Sequence, residues 1–187
     1  MRVTAGKYRR HPLRSTPSPK VRPTARRLRE ALFDLLGARI EGARFLDLCA
    51  GSGAVGIEAL SRGARHVTFV ERSPKISGFI ETNLALCGVA ADQEEVVTSD
   101  AAEFVRRCGV RQGDNAWDIA FLDPPYAADY APVLTLFGQG LALRRPHGVL
   151  VVEHYYENTL EDVVGVMRRW RIIRQGDSCL SFYERKH

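Results

Sequence analysis

The sequence of 187 residues has few cysteines and no long apolar run, and both absences restrict what the protein can be. Its four cysteines are widely spaced and include no C-x-x-C pair, which argues against a zinc site or a disulfide framework and for reduced thiols. No apolar run approaches the roughly 18 residues that a membrane helix needs. The N-terminus is basic and proline-rich, unlike a secretory signal. We therefore expect a cytoplasmic protein with no membrane segment and no bound metal.

The charge is divided unevenly along a chain of otherwise ordinary globular composition. The net charge of +5 conceals ten basic and one acidic residue in positions 1–30, against seventeen basic and twenty-one acidic residues in positions 31–187. Of the 27 cations, 23 are arginine, which binds phosphate bidentately and stacks on bases. This division indicates a catalytic domain with an arm for a polyanion, and the alternative is a solvated basic tail.

The first residues interleave basic and apolar side chains around Gly6, which predicts a short hairpin with Tyr8 available for stacking. Four prolines predict an extended linker over residues 14–23. We expect residues 1–23 to form the arm and residues 24–187 the catalytic domain. The candidate polyanion-binding residues are Arg2, Lys7, Tyr8, Arg9, Arg10, Arg14, Arg22 and Arg26.

Short apolar runs alternate with amphipathic stretches from Thr24 onward, which predicts a mostly parallel sheet covered by helices on both faces. The predicted strands are Phe45–Cys49, Val67–Val70, Glu95–Thr98, Ile119–Leu122 and Val149–Val152. The predicted helices are 24–37, 54–62, 74–87, 101–108, 130–138 and 158–168. The last two runs, Trp170–Arg174 and Cys179–Glu184, flank Gln175-Gly176-Asp177-Ser178 and predict a hairpin, so the final strand is expected to be antiparallel.

A G-x-G-x-x-G turn joins the first predicted strand to the helix after it. Gly51 and Gly53 allow a tight turn and let a ligand lie against the backbone. Glu71 ends the next strand, twenty positions after Gly51, where a carboxylate can accept both hydroxyls of a ribose. These features fit a nicotinamide cofactor and S-adenosylmethionine equally well.

Asp47 favours S-adenosylmethionine, because it lies inside the first strand, where a dinucleotide fold usually has an apolar residue. A carboxylate there suits a positively charged ammonium group and suits a pyrophosphate badly, since like charges repel. Asp100 can accept a hydrogen bond from an adenine amino group, or can serve only as the cap of the next helix. The candidate cofactor-binding residues are Asp47, Cys49, Ala50, Gly51, Ser52, Gly53, Glu71, Arg72, Asp100 and Ala101.

The fourth predicted strand runs into the tetrapeptide Asp123-Pro124-Pro125-Tyr126, which suits methylation of an amino group on a base. Such an amine is a poor nucleophile, because its lone pair is delocalised into the ring. The Asp123 carboxylate and the Pro124 carbonyl can accept its two N–H bonds and direct the lone pair at a methyl donor. Consecutive prolines hold that carbonyl in place, and Tyr126 offers a flat face for a base taken out of its stack. These four residues are the candidate catalytic residues.

Together these segments resemble the class I S-adenosylmethionine-dependent methyltransferases. The closer resemblance is to the bacterial RsmD-type family, which methylates the N2 amino group of a guanine in small-subunit (16S) ribosomal RNA. It rests on Arg2-Val-Thr-Ala-Gly-Lys-Tyr-Arg9, Arg22-Pro-Thr24, Arg29-Glu-Ala-Leu-Phe33, Asp47–Gly53, Glu58–Gly63, Asp123–Tyr126 and Val152-Glu153. One departure is Cys49, where the family often has phenylalanine.

The resemblance implies an α/β, Rossmann-like fold with a seven-stranded, mostly parallel sheet, an antiparallel last strand and helices on both faces. It also implies S-adenosylmethionine as cofactor and a guanine flipped from ribosomal RNA, or from an assembly intermediate, as substrate; we expect a monomer.

Other functions stay open from the sequence. The tetrapeptide also occurs in enzymes that methylate adenine N6 or other amino groups, and the N-terminal pattern carries most of the preference for guanine. A non-catalytic RNA-binding assembly factor and a nicotinamide oxidoreductase are the further alternatives. His154 is a candidate for lining the base pocket. Arg22, Thr24 and Arg26 can approach either a cofactor carboxylate or a phosphate.

Overall fold

The computed structural model describes residues 1–15, 26–109, 116–125, 127–144 and 146–185, and the structural statements below concern those residues. Helices and strands alternate along most of them, and the last four elements are strands. The helices are α1 (Arg26–Leu36), α2 (Ala54–Ser61), α3 (Pro74–Cys87), α4 (Ala101–Cys108) and α5 (Ala131–Gly138). The strands are β1 (Arg44–Leu48), β2 (His66–Glu71), β3 (Glu94–Thr98), β4 (Ile119–Leu122), β5 (Val149–Tyr155), β6 (Val163–Val164), β7 (Met167–Gln175) and β8 (Ser178–Arg185).

These strands form one sheet in the order β3-β2-β1-β4-β5-β8-β7-β6. The pairs between β3 and β5 are all parallel, whereas β8 runs antiparallel between β5 and β7. The expected parallel sheet with an antiparallel last strand is therefore confirmed. Strand order reverses where β1 lies beside β4, and open α/β sheets bind ligands beyond the carboxyl ends of the strands at such a point.

The central strands β1, β2, β4 and β5 are buried on both faces, which explains why they are nearly continuous in apolar residues. Phe45 and Phe121 belong to a core cluster with residues of α1, α2 and α3 on one face. Leu46 and Leu122, their neighbours in sequence, belong to the cluster with α4 and α5 on the other face. Within the described part of the chain, no helix is both long and apolar enough to span a membrane.

The basic N-terminal residues fold back on themselves and pack against the body. An antiparallel bridge joins Arg2 to Pro12, and Val3, Tyr8 and Leu13 are buried in the cluster that contains α1 and α2. The expectation that Tyr8 can stack on a base is wrong for this structure, because its ring is 4% exposed and completes the apolar core. Residues 16–25, which include the expected linker and Arg22, lie outside the described residues.

Glu58 in α2 anchors this N-terminal segment through a carboxylate that is fully buried. Its carboxylate accepts the backbone N–H groups of Thr4 at 2.8 Å and Ala5 at 3.0 Å. It also pairs with the buried guanidinium of Arg29, whose Nε lies 3.5 Å away. Burial lowers the pKa of Arg29 and Glu58 opposes that shift, so each charge is partly compensated by the other.

Gly6 allows the segment to approach α2 closely. Its φ is +79°, and a Cβ atom there would lie 1.7 Å from the carbonyl oxygen of Ser61. Close approach lets Lys7 N–H donate to that carbonyl at 2.7 Å and Tyr8 N–H donate to the Ser61 hydroxyl at 2.9 Å. The N-terminal residues thus form a rigid layer on α2.

The prediction of a helix over 158–168 is wrong, and the expected count of seven strands is also wrong. Val163–Val164 instead form β6, a two-residue strand that pairs with the start of β7 and brings the described sheet to eight strands. Gly165 has φ +55°, outside the helical region, and a Cβ atom there would lie 2.2 Å from the carbonyl oxygen of Gly138. Val166 N–H donates to that same carbonyl at 2.8 Å, so this turn packs directly on the end of α5.

Replacing Glu58 by glutamine should lower the free energy of unfolding by about 3 kcal/mol or more, because Arg29 keeps its charge in a buried position without a compensating carboxylate. The measurement is urea denaturation followed by circular dichroism. The matched control is Glu30→Gln, which removes the exposed ion pair with Arg26 and should change stability by less than about 0.5 kcal/mol. Equal effects of the two substitutions would contradict the anchoring role of Glu58.

Candidate active site

A cavity of about 740 Å³ opens at the carboxyl ends of the central strands. The pairing register aligns one residue from each of β2, β1, β4 and β5, namely Val70, Leu48, Leu122 and Val152. The residues that follow at that level are Glu71, Cys49, Asp123 and Glu153, and all four line the cavity. Neighbouring strands lie about 4.8 Å apart, so these residues form a row across the sheet.

The cavity brings together most of the residues predicted for the cofactor and for catalysis. Those that line it are Asp47, Cys49, Ala50, Gly51, Ser52, Glu71, Arg72, Asp100, Ala101, Asp123, Pro124 and Pro125. Gly53 is not in its wall; it precedes α2 in a left-handed conformation with φ +75°. Tyr126 lies outside the described residues. The glycine turn and the proline-rich corner therefore share one cavity.

The turn between β1 and α2 has left-handed backbone at three alternate residues. Cys49, Gly51 and Gly53 have φ values of +60°, +56° and +75°. Only Cys49 bears a side chain, and this conformation costs such a residue about 1 kcal/mol. Burial, with Asp123 as the next contribution, raises the pKa of the Cys49 thiol to about 12, so it stays protonated at neutral pH and is not a nucleophile.

Asp47 is a buried carboxyl group whose charge has little compensation in the protein. It is 2% exposed and accepts the backbone N–H of Gly56 at 2.9 Å. Its pKa is raised to about 8, chiefly by burial and also by the nearby Glu71, while the Gly56 hydrogen bond opposes the rise. A cationic ligand in the cavity would favour the ionised form, so this residue is poised to bind a positive group.

Glu71 holds the glycine turn in place. One of its carboxylate oxygens accepts the N–H of Gly51 at 3.1 Å, and the other accepts the N–H of Ser73 at 3.0 Å. A carboxylate oxygen has capacity for more than one hydrogen bond, so Glu71 can still accept from a ligand hydroxyl.

The two interpretations of Asp100 are compatible in the structure. Its Oδ1 accepts the N–H of Glu103 at 3.1 Å and caps α4, while the residue also lines the cavity. A helix cap uses one lone pair, and others remain for a ligand.

The proline-rich corner is fixed by backbone contacts. Asp123 N–H donates to the carbonyl of Leu48 at 3.2 Å, which ties the corner to β1, and Ala128 N–H donates to the carbonyl of Pro125 at 2.7 Å. Pro124 is buried and Pro125 is exposed. Asp123 and Pro124 thus line the cavity directly after β4, beside the strand that leads into the glycine turn.

The cavity has a strongly acidic wall. The acidic residues that line it are Asp47, Glu71, Asp100, Asp123, Asp129 and Glu153, against the single described base Arg72. Despite these acids, no described group of three or more residues is arranged to hold a metal ion. Such a wall attracts a cationic small molecule and repels phosphate.

The basic side chains of the N-terminal segment lie outside this cavity. Those that are exposed are Arg2, Lys7, Arg9, Arg10 and Arg14. Arg26 is also exposed, and its Nε lies 3.0 Å from the carboxylate of Glu30.

Asn83, which sequence reasoning missed, connects the basic segment to the cavity. This fully buried side chain donates to the carbonyls of Arg14 at 3.0 Å and Ser52 at 2.9 Å, and it accepts the N–H of Arg14 at 2.8 Å. An asparagine within an apolar helix face gives no signal of partners 69 and 31 residues away.

His154, a candidate for the base pocket, faces the other way. It is 2% exposed, and its ring nitrogens lie 2.9 Å from the Ser181 hydroxyl and 3.0 Å from the carbonyl of Tyr155. Its neighbour Glu153 lines the cavity instead, since successive strand residues point to opposite faces.

The buried charge of Asp47 generates a pH-dependent prediction. An acid whose pKa is higher folded than unfolded destabilises the fold increasingly as pH rises, here between about 4 and 8. Asp47→Asn keeps an acceptor for Gly56 and removes the charge. The free energy of unfolding of the variant, relative to that of the wild type, should therefore rise by about 2 to 4 kcal/mol from pH 5 to pH 8.

Chemical denaturation at both pH values measures this gain, with Asp34→Asn, an exposed acid on α1, as control. A stability difference that does not change with pH would contradict the raised pKa.

Comparison with known proteins identifies the family. The sequence matches the family described as Conserved hypothetical protein 95 over residues 1–184. It is 31% identical over 186 residues to a Bacillus subtilis protein provisionally named rRNA methyltransferase YlbH, with 100% of both chains covered. It is 36% identical over 126 residues to ribosomal RNA small subunit methyltransferase D of Haemophilus influenzae, which covers 67% of this chain and 64% of that protein.

A solved structure agrees with these matches. A protein of Escherichia coli, provisionally described as the methyltransferase yhhF, superposes with a TM-score of 0.84 at 31% identity and covers 100% of this chain and 98% of that one. The chain belongs to the family described as Conserved hypothetical protein 95, the RsmD family of class I S-adenosylmethionine-dependent methyltransferases.

Proposed function

We propose that this protein transfers a methyl group from S-adenosylmethionine to the N2 amino group of a guanine in small-subunit ribosomal RNA. The observation that carries the proposal is the shared cavity, in which the Asp123–Pro124 corner and the glycine turn lie on neighbouring strands. The relatives named as ribosomal RNA methyltransferases support the substrate class. One chain supplies every group used below, so we propose a monomer that acts where ribosomal subunits are assembled.

The cavity suits S-adenosylmethionine in charge and size. Its volume lies within the range of about 300 to 1,000 Å³ that is usual for ligand pockets. When bound, this cofactor supplies an electrophilic methyl group on a positively charged sulfur. We propose that Asp47 binds the ammonium group, Glu71 the ribose hydroxyls and Asp100 the adenine amino group, since all three line the cavity. The glycines leave the backbone open to close approach.

The proline-rich corner suits an amine as the methyl acceptor. The Asp123 carboxylate and the Pro124 carbonyl can each accept one N–H of an exocyclic amino group, which orients its lone pair and offsets the positive charge that develops on nitrogen. We propose that Pro125 fixes this geometry and that Tyr126 stacks on the flipped base. A strong general base is not needed, because the proton becomes acidic only after the methyl group arrives.

The rigid basic layer formed by residues 1–15 suits the RNA backbone. We propose that Arg2, Lys7, Arg9, Arg10 and Arg14 contact phosphates there, with Arg22 and Arg26 extending the surface. The contacts of Asn83 keep Arg14 beside the glycine turn, so RNA held on this layer lies near the cavity rim. Phosphates are repelled by the acidic cavity wall itself, which favours entry of a single base.

The direct test is methyl transfer from labelled S-adenosylmethionine to small-subunit rRNA and to 30S particles, followed by mass spectrometry of the digested nucleosides. The expected product is N2-methylguanosine. Recovery of N6-methyladenosine would transfer the assignment to an adenine methyltransferase.

Asp123→Ala should lower the rate of methyl transfer by about 100- to 1,000-fold, because an acceptor that stabilises the developing charge is lost. RNA affinity should stay within about twofold of the wild type. Asp123→Asn keeps an acceptor oxygen and should lose less activity. The exposed turn substitution Asp177→Ala is the control. A fully active Asp123→Ala protein would instead support a non-catalytic assembly factor.

Replacing Arg9, Arg10 and Arg14 by glutamine should weaken RNA binding and flatten its salt dependence. Each lost phosphate contact should reduce the slope of log affinity against log salt by about 0.7 to 0.9. Filter binding over a salt series measures that slope. The matched control neutralises three exposed arginines elsewhere, Arg106, Arg168 and Arg171. Equal slopes for the two triple variants would show that the N-terminal layer is not the RNA contact.

A further inference from the structure

We propose that Glu153 selects guanine by accepting a hydrogen bond from the ring N1–H that lies beside the target amino group. This inference rests on the proposed function. It assigns Glu153 as a specificity-determining residue, separate from the Asp123–Pro124 pair that binds the amine.

The sheet places Glu153 beside Asp123. Leu122 pairs with Val152, so Asp123 and Glu153 follow at the same level on adjacent parallel strands, about 4.8 Å apart. Both residues line the cavity, together with Pro124.

The two carboxyl groups also point to the same face of the sheet. Phe121 and Val151, two residues earlier on their strands, both belong to the cluster that packs against α1, α2 and α3. Side chains alternate along a strand, so Asp123 and Glu153 share that face. Two acceptors on neighbouring strands can therefore engage adjacent donors on one base edge.

Only one common base offers such a pair of donors. Adenine, cytosine and guanine each carry an exocyclic amino group. In adenine and cytosine the neighbouring Watson–Crick ring nitrogen is an acceptor without hydrogen, whereas in guanine N1 carries a hydrogen. A carboxylate beside the amine-binding corner hydrogen-bonds to guanine, and it faces a repelling lone pair on either other base.

The burial of Glu153 makes this discrimination effective. The residue is 4% exposed, so solvent cannot readily replace a missing donor when the wrong base enters. Sites built to hydrogen-bond an N–H group reject analogues that lack it far more strongly than apolar pockets reject a change of size.

The experiment uses small-subunit rRNA in which the guanine that the protein methylates is first located by mass spectrometry of RNA fragments and is then replaced by 2-aminopurine through ligation of a synthetic segment. This analogue keeps the 2-amino group, but its N1 is an acceptor without hydrogen. Both RNAs are presented naked and as reconstituted particles, and kcat/KM is measured for wild type, Glu153→Gln and the control Glu157→Gln, which removes an exposed acid.

The wild type and the control should prefer guanine by about 100-fold or more. Glutamine can donate to the unprotonated N1, so Glu153→Gln should reduce that preference by about 10- to 100-fold. The measured quantity is the ratio of kcat/KM for the two RNAs with one variant. A general loss of activity lowers both values and therefore does not change this ratio.

Two outcomes overturn the inference while leaving the proposed function intact. One is wild-type enzyme that methylates guanine and 2-aminopurine at similar rates, a measurement that needs no variant. The other is Glu153→Gln protein that loses activity on both RNAs equally. If the wild type methylates no guanine in either RNA preparation, the proposed function itself fails, and this inference fails with it.

Discussion

The parallel pairing of β1 with β2 and β4 is the constraint on which the site depends. Parallel strands end at the same edge, so residues far apart in the chain meet there without any direct attraction between them. Glu71, Asp123 and Glu153 are acids that would repel one another, and the apolar core below holds them in a row. The sheet therefore stabilises a concentration of negative charge that the residues alone would oppose, and that charge suits a cationic cofactor.

Two buried carboxyl groups illustrate the difference between an anchor and a binding group. Glu58 is paired with Arg29 and accepts backbone N–H groups of the N-terminal segment, so its charge is compensated within the protein. Asp47 has one backbone donor and a neighbouring acid, and its pKa rises to about 8. The first arrangement holds the fold together. The second leaves a group whose ionised form is favoured when a positive ligand arrives.

The N-terminal segment connects fold and function because it is docked on the elements that form the cavity. Glu58 and Ser61 hold its first residues on α2, and Asn83 links Arg14 to Ser52 in the glycine turn. A surface fixed in this way presents its arginines in one arrangement. For the proposed RNA contact, a docked segment loses less conformational freedom on binding than a loose tail would, so the geometry suits delivery of one base to one cavity.

Local patterns in the sequence determined much of this protein. Apolar runs and helical periodicity predicted the central strands and most helices, while the glycine turn and Asp123–Tyr126 predicted a ligand site, because these features depend on nearby residues. The helix expected over 158–168 was wrong, since the contact of Gly165 with Gly138 is not visible in local periodicity. Only the tertiary structure decided that Tyr8 is buried, that Asn83 joins two distant segments and that Glu153 lies beside Asp123. Each of these depends on which strands and helices become neighbours, and pairing between distant segments is set by the packing of the whole core.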